Sequence, residues 1–331
     1  MKVPHYEVDP WWPKPLPEGW VLGQLPGVAV DANDQVIVVN RCDITEEEAE
    51  TSISAPPVIV FDADGDVVAS WGDLAVLPNK PERIVVDHEH HVWITGQQDG
   101  IVQKYSWEGE LLLQIGEPGV VDSSDGTLKG TPLNASHTRL FQPAGVAVDP
   151  ENGEVYIADG YGNHRVVVFD RDGRYLRQWG RKASPEEMEA GTGGAFADVV
   201  HAVNISNDGL VYVCDRQGDR IQVFDKSGEF RRNIWVRNGT PTLPDPRGTV
   251  WTITFSPDPE QRLIYLMNGR NEQVHVIDHQ SGEILSTFGR PGHQLGAFTH
   301  GHTVAVDSAY RVYVSETHTG RRVQRFRPVD R

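Results

Sequence analysis

Short runs of apolar residues, alternating or continuous, recur along the whole chain and are broken by Asp, Asn and Gly. One unit reads small residue, apolar, any, apolar, Asp or Ser, a turn, then a V-Y-V-like run. It occurs as GVAVDANDQVIVVNR from Gly27, RIVVDHEHHVWITG from Arg83 and GVAVDPENGEVYIADG from Gly145. It returns as AVNISNDGLVYVCDR from Ala202, TITFSPDPEQRLIYLMNG from Thr252 and TVAVDSAYRVYVSET from Thr303. A second apolar strand, turn and strand follow, as in VIVFDADGDVVASWG and VVVFDRDGRYLRQWG. Runs of this length with Asp/Gly turns signal antiparallel hairpins. Each full unit therefore predicts four short strands, and six such units predict an all-β, six-bladed β-propeller. A two-sheet sandwich is the competing fold, and six regular units disfavour it. The sixth unit stops after three strands, at VQRFRPVDR, which would leave an open edge. The segment from Tyr6 to Val8 is expected to supply the missing strand. Residues 1–331 are read as one propeller domain.

Extra chain is concentrated in three insertions, 42–56, 117–141 and 182–200. The first joins the second and third strands of a blade, and the others join consecutive blades. In an up-and-down blade these connections emerge on one face, where sites are usually built. The acidic stretches Thr45 to Glu50 and Pro185 to Ala190 inside them read as short helices.

Composition then narrows the classes of function. Among 331 residues, 33 Gly and 22 Pro suit many turns, and the formal net charge is −17. Phosphate binding needs cationic side chains, so nucleic acid and anionic membrane surfaces are not expected partners. No run approaches the length of a membrane span. The opening is too polar for a signal peptide, so the chain as it stands reads as cytoplasmic, or as secreted or periplasmic if a signal sequence was removed. Cys42 and Cys214 lie in different units and predict no disulfide framework. Oligomeric state is not legible.

The residues just before the first strand of each unit carry the candidate chemistry. They are Pro26, Glu82, Ala144, His201, Trp251 and His302. Alternate blades of a six-fold ring can aim side chains at one axial point, and the even ones carry Glu82, His201 and His302. Two imidazoles and a carboxylate suit zinc or non-haem iron. The alternative is a polar, water-filled channel. The corners between second and third strands add Arg41, Tyr161, Arg216, Arg270 and His318, with His300 beside His302. Arginines there can hold an anionic or carbonyl group, and a phenol near a cation can move a proton. Asp159, Asp215 and Arg216 are alternatively structural contacts. The HEHH run at His88–His91 falls in a first turn on the opposite face and reads as exposed.

Units such as FQPAGVAVDPENGEVYIADGYGNHRVVVFD resemble NHL repeats, and nearly the whole chain resembles peptidyl-α-hydroxyglycine α-amidating lyase and its bacterial relatives. The stretches VAVDP…YIADGYGNHRVVVF, HAVNI…VCDRQGDRIQVF and GHTVAVD…ETHTGRRVQRF carry that resemblance. It implies zinc held by His201 and His302, Tyr161 as the catalytic phenol, and Arg41 and Arg216 as active-site arginines. Three features depart from the family. Glu82 stands where the third zinc histidine would, so the site's positive charge is lowered. Thr303 stands where the family's calcium-binding Asp would, which argues against a structural calcium. The lyase's disulfide cysteines are absent.

The expected function is therefore a metal-dependent lyase or related hydrolase acting on a small carbinol or carbonyl-type substrate. Glu82, His201 and His302 would be ligands, Tyr161, Arg41 and Arg216 would act in catalysis, and Arg270, Trp251, His318 and His300 would bind substrate. The alternative is a noncatalytic NHL propeller that binds a peptide or protein. A calcium lactonase-type propeller would need several acidic or Asn side chains at the ring, where Glu82 is the one acid.

Overall fold

The computed structural model describes residues 4–237 and 247–329. Its framework is six four-stranded antiparallel sheets, the blades of a six-bladed β-propeller. Blade one runs Gly27–Val30, Val36–Val39, Val58–Phe61 and Val67–Trp71. Blade two holds Pro81–Val86, Val92–Gly96, Ile101–Tyr105 and Leu111–Ile115. Blade three holds Pro143–Val148, Val155–Asp159, Arg165–Phe169 and Tyr175–Trp179. Blade four holds Val200–Ile205, Val211–Asp215, Arg220–Phe224 and Phe230–Trp235. Blade five holds Thr252–Phe255, Leu263–Asn268, Gln273–Asp278 and Ile284–Phe288. Blade six holds Gly301–Val306, Val312–Glu316 and Val323–Val329, and its outer strand is the N-terminal His5–Val8, as the sequence predicts. His5 pairs with Val329 and Val8 with Phe326.

The chain divides into two compact units: Leu77–Thr252, which carries blades two to four, and the remainder, which carries blades one, five and six. Strand composition explains the burial gradient inside each blade. The second and third strands, such as VIVV, VIVF and RVVVF, are mostly β-branched and are buried on both faces. Outer strands such as Val67–Trp71 are exposed along most of their length. Blades two and three lock through Trp93, Val102, Ile115, Val146, Ile157 and Phe169, and blades three and four through Tyr156, Val168, Phe196, Val203 and Phe224. The recurrent Asp-x-x-Gly is the third hairpin turn. Asp170 Oδ1 accepts from the backbone N–H of Asp172 and Arg174, and Gly173 takes φ +80°. A side chain would be strained at that glycine.

The insertions lie between the strands expected. Both short helices form, Glu46–Ala49 and Pro185–Ala190, each opened by a capping box from Thr45 and Ser184. Cys42 and Cys214 are both free thiols. Among the described residues no helix is long and apolar enough to cross a membrane.

Candidate functional site

The first strand of a blade is not a plain strand where the candidate ligands lie. In blade two, Pro81 pairs with Gly96 and Arg83 with Thr95, so Glu82 is an extra residue in the ladder. His201 is the extra residue between Val200 and Ala202 in blade four, and His302 between Gly301 and Thr303 in blade six. Ala144 holds the same place in blade three. A β-bulge leaves its residue unpaired and re-aims its side chain. The equivalence of these positions was legible in the sequence, but the bulge that gives it meaning was not.

In the unit holding blades two to four, Glu82, Tyr161 and His201 meet. The Tyr161 phenol donates to Glu82 Oε1 at 2.6 Å and lies 3.0 Å from His201 Nε2. His201 Nε2 and Glu82 Oε1 are 3.7 Å apart, and both residues are about 1% exposed. His201 Nδ1 sits 2.8 Å from the Trp251 carbonyl. A carbonyl only accepts, so Nδ1 carries the proton, and in the neutral ring Nε2 presents a lone pair. Among the three groups themselves, only the phenol then has a proton to give.

Arg216 completes this half. Its Nη1 donates to the Tyr161 oxygen at 3.3 Å, and the guanidinium lies over the rings of Tyr161 and Trp251, 5.3 and 5.0 Å from their centroids. Trp251 is itself fixed by Nε1 donating to the Gly248 carbonyl. Close backbone approach positions His201. A Cβ on Gly145 would meet Ala202 Cα at 3.0 Å and the His201 carbonyl at 3.1 Å, so a side chain there would have to push this backbone aside.

In the unit holding blades one, five and six, His302 is 4% exposed and its Nδ1 lies 2.6 Å from the Pro26 carbonyl. It therefore has the same tautomer as His201. Arg41 donates through Nη1 to Gln24 Oε1, which also accepts the His318 backbone N–H. Gln24, which sequence reasoning missed, thus ties two candidate residues together. His300 and His318 stack, with ring centroids 4.0 Å apart. The His300 backbone N–H donates to Glu272 Oε1. Arg270 sits in the blade-five corner, where its backbone N–H donates to Asn268 Oδ1.

Two sequence alternatives are resolved. Asp159 and Asp215 are structural: they pair within their own blades with Arg165 and Arg220, at 2.9 and 2.8 Å, all four side chains fully buried. Arg216 is no part of these pairs and faces Tyr161. The HEHH run does lie in the first turn of blade two. There His88 is exposed, while His90 stacks on Trp107 and His91 is half-buried. That run is therefore only partly exposed, because the outer hairpin of the same blade covers it.

The donor chemistry fits a divalent transition metal. A metal-bound histidine usually donates its second ring N–H to a carbonyl or carboxylate. His201 and His302 each do so within their own unit, and Glu82 adds a buried carboxylate.

Residues 142–169, which span most of blade three, match the NHL repeat family model. The chain is 31% identical over 270 residues to human NHL repeat-containing protein 3, covering 80% of this chain and 67% of that one. This chain belongs to the NHL-repeat protein family. It is 25% identical over 320 residues to a probable peptidyl-α-hydroxyglycine α-amidating lyase of Caenorhabditis elegans, covering 91% of this chain and 81% of the relative. Among solved structures, a streptogramin B lyase shares the fold with a TM-score of 0.57 and 11% identity, over 98% of both chains.

Proposed function

We propose that the protein is a metal-dependent lyase, or a related hydrolase, acting on a small carbinol or carbonyl-type substrate. The convergence of Glu82 Oε1 and His201 Nε2 on the Tyr161 phenol carries this reading. The reading assigns His302 as the third ligand, because it occupies the same bulge and has the same tautomer in its own blade. The relation to a probable amidating lyase supports the reaction class.

A zinc or iron ion bound by these three residues would supply Lewis acidity toward a substrate oxygen. Tyr161 first releases its own proton to bulk water, and the phenolate Oη beside Arg216 then takes the hydroxyl proton of the carbinol. As that oxygen becomes a carbonyl, the C–N or C–O bond at the same carbon breaks, and Tyr161 returns the proton to the departing atom. Arg216 stabilises the phenol oxygen as charge develops on it. Arg41 and Arg216 hold a substrate carboxylate, and Arg270, Trp251, His300 and His318 bind the rest of the substrate.

Elemental analysis of protein purified without added metal tests this. About one zinc or iron per chain is expected, and Glu82→Ala combined with His201→Ala should remove it. Tyr161→Phe should keep the metal but lower turnover of an N-acylated α-hydroxy amino acid about 100-fold or more. Wild-type chain that stays metal-free after loading would leave the noncatalytic, peptide-binding reading.

A further inference from the structure

Two arginines of the blade-four corner are held in opposite ways. Arg220 is closed by a carboxylate, with Nε 2.8 Å from Asp215 Oδ2 and both side chains fully buried. Arg216, one residue past Asp215, lies between rings. Its guanidinium carbon is 5.0 Å from the Trp251 ring centroid and 5.3 Å from that of Tyr161. Its Nη1 reaches the Tyr161 oxygen at 3.3 Å, and its Nε is buried without a hydrogen-bond partner.

Trp251 is the fixed side of this clamp. It is 4% exposed, and its Nε1 donates to the Gly248 carbonyl at 3.0 Å. A Cβ on Gly248 would collide with the Arg216 carbonyl, so the segment carrying Trp251 packs directly on the corner carrying Arg216. The indole also meets the His201 ring, 5.6 Å between centroids. A carboxylate partner cancels the charge of a guanidinium and occupies its N–H groups. An aromatic face attracts the cation through the ring quadrupole and does neither. The charge of Arg216 is thereby left for a ligand.

We propose that Trp251 is a positioning residue acting through Arg216: its ring orients the guanidinium without neutralising it, keeping the cation for an anionic group of the substrate. This rests on the reading above, which makes that group a carboxylate. A side-chain change at Trp251 leaves its backbone carbonyl, and so the hydrogen bond from His201 Nδ1, in place. The hold on Arg216 can therefore be altered apart from the hold on His201.

N-acetylglycine and its uncharged counterpart N-acetylglycinamide test this, with binding to the full chain followed by ligand-observed NMR titration. The wild type should prefer the carboxylate about tenfold or more. W251L should weaken carboxylate binding about fivefold or more and leave amide binding nearly unchanged. W251F keeps a smaller ring face and should lose only about twofold for the carboxylate. In an R216M chain, adding W251L should cost nothing further. Equal losses for both ligands, or a W251L loss undiminished in the R216M chain, would make Trp251 merely structural and overturn the proposal. If W251L does not fold, W251F decides it: a loss confined to the carboxylate upholds the proposal, and no loss or an equal loss ends it. A wild type without preference for the carboxylate overturns it too, leaving metal content and turnover to judge the lyase reading. The expected binding pattern without turnover of an α-hydroxy compound would remove the lyase reading alone.

Discussion

Two buried polar groups in blades two to four come from neighbouring corner segments and are served very differently. The Asp159–Arg165 pair is saturated with partners. Arg165 donates to Asp159, to the carbonyls of Ser136 and Arg139, and to Gln178 Oε1. Asp159 also accepts from the Phe141 backbone and from Asn163. The Glu82–Tyr161–His201 group, two residues from Asp159 at its Tyr161 end, is built mainly from acceptors. The first pins the 117–141 insertion to the blade. The second sets the Glu82 carboxylate and the His201 Nε2 lone pair around the Tyr161 hydroxyl, with Arg216 donating to the same oxygen. The first is an ion pair closed within its own blade, and the second gathers side chains from three blades around one phenol.

The comparison breaks most visibly at the saturated pair. Asp159→Ala strands a buried guanidinium and should cost about 3–5 kcal/mol of unfolding free energy, measured by denaturant titration, with metal content unchanged. Next comes His275, a buried histidine with both nitrogens served: Asn268 donates to its Nε2, and its Nδ1 lies 2.7 Å from Thr287 Oγ1. Burial lowers its pKa to about 4. The unfolded chain takes up this proton near the ordinary histidine value and the folded chain does not. Its contribution is complete above about pH 6.5 and is lost as pH falls toward 4, by about 3 kcal/mol. Unfolding curves across that range should show the loss, and His275→Gln should remove it.

A smaller effect sharpens the acceptor side. Zinc at a hundred times its dissociation constant should stabilise the wild type by about 2.7 kcal/mol over chelator-treated protein. The Asp159→Ala chain should show the same increment, since the two groups are separate. Smallest is Tyr161→Phe, which takes a donor from Glu82 and should cost the metal-free protein about 1–2 kcal/mol. In the zinc-loaded protein the cost should shrink, because the ion takes over the lone pairs. Equal costs in both forms would argue against a shared cation.

The blades were legible because each repeats short apolar runs split by tight turns, with Asp-x-x-Gly at the third turn of blades one, three and four, all local features. The equivalence of Glu82, His201 and His302 was legible for the same reason, as a place in a repeat. What separates Arg216 from Asp215 was not, since adjacent residues of one motif turn to opposite tasks only once Arg220 takes the carboxylate. Gln24 escaped notice because its role depends on residues distant in sequence. Gln24 serves Arg41 and the His318 backbone, 294 residues away in the latter case.

The outer strand of blade six has a consequence for biosynthesis. His5–Val8 leaves the ribosome long before Val323–Val329, the strand it must pair with. Until then it is a sticky ribbon whose complement does not yet exist, and Tyr6 waits for Tyr265, to which it hydrogen-bonds at 2.7 Å. The final clasp therefore closes only after the last blade has been made, and it requires ends that are far apart along the chain to meet, a slow kind of contact. During that interval the nascent protein is most exposed to pairing with the wrong neighbour.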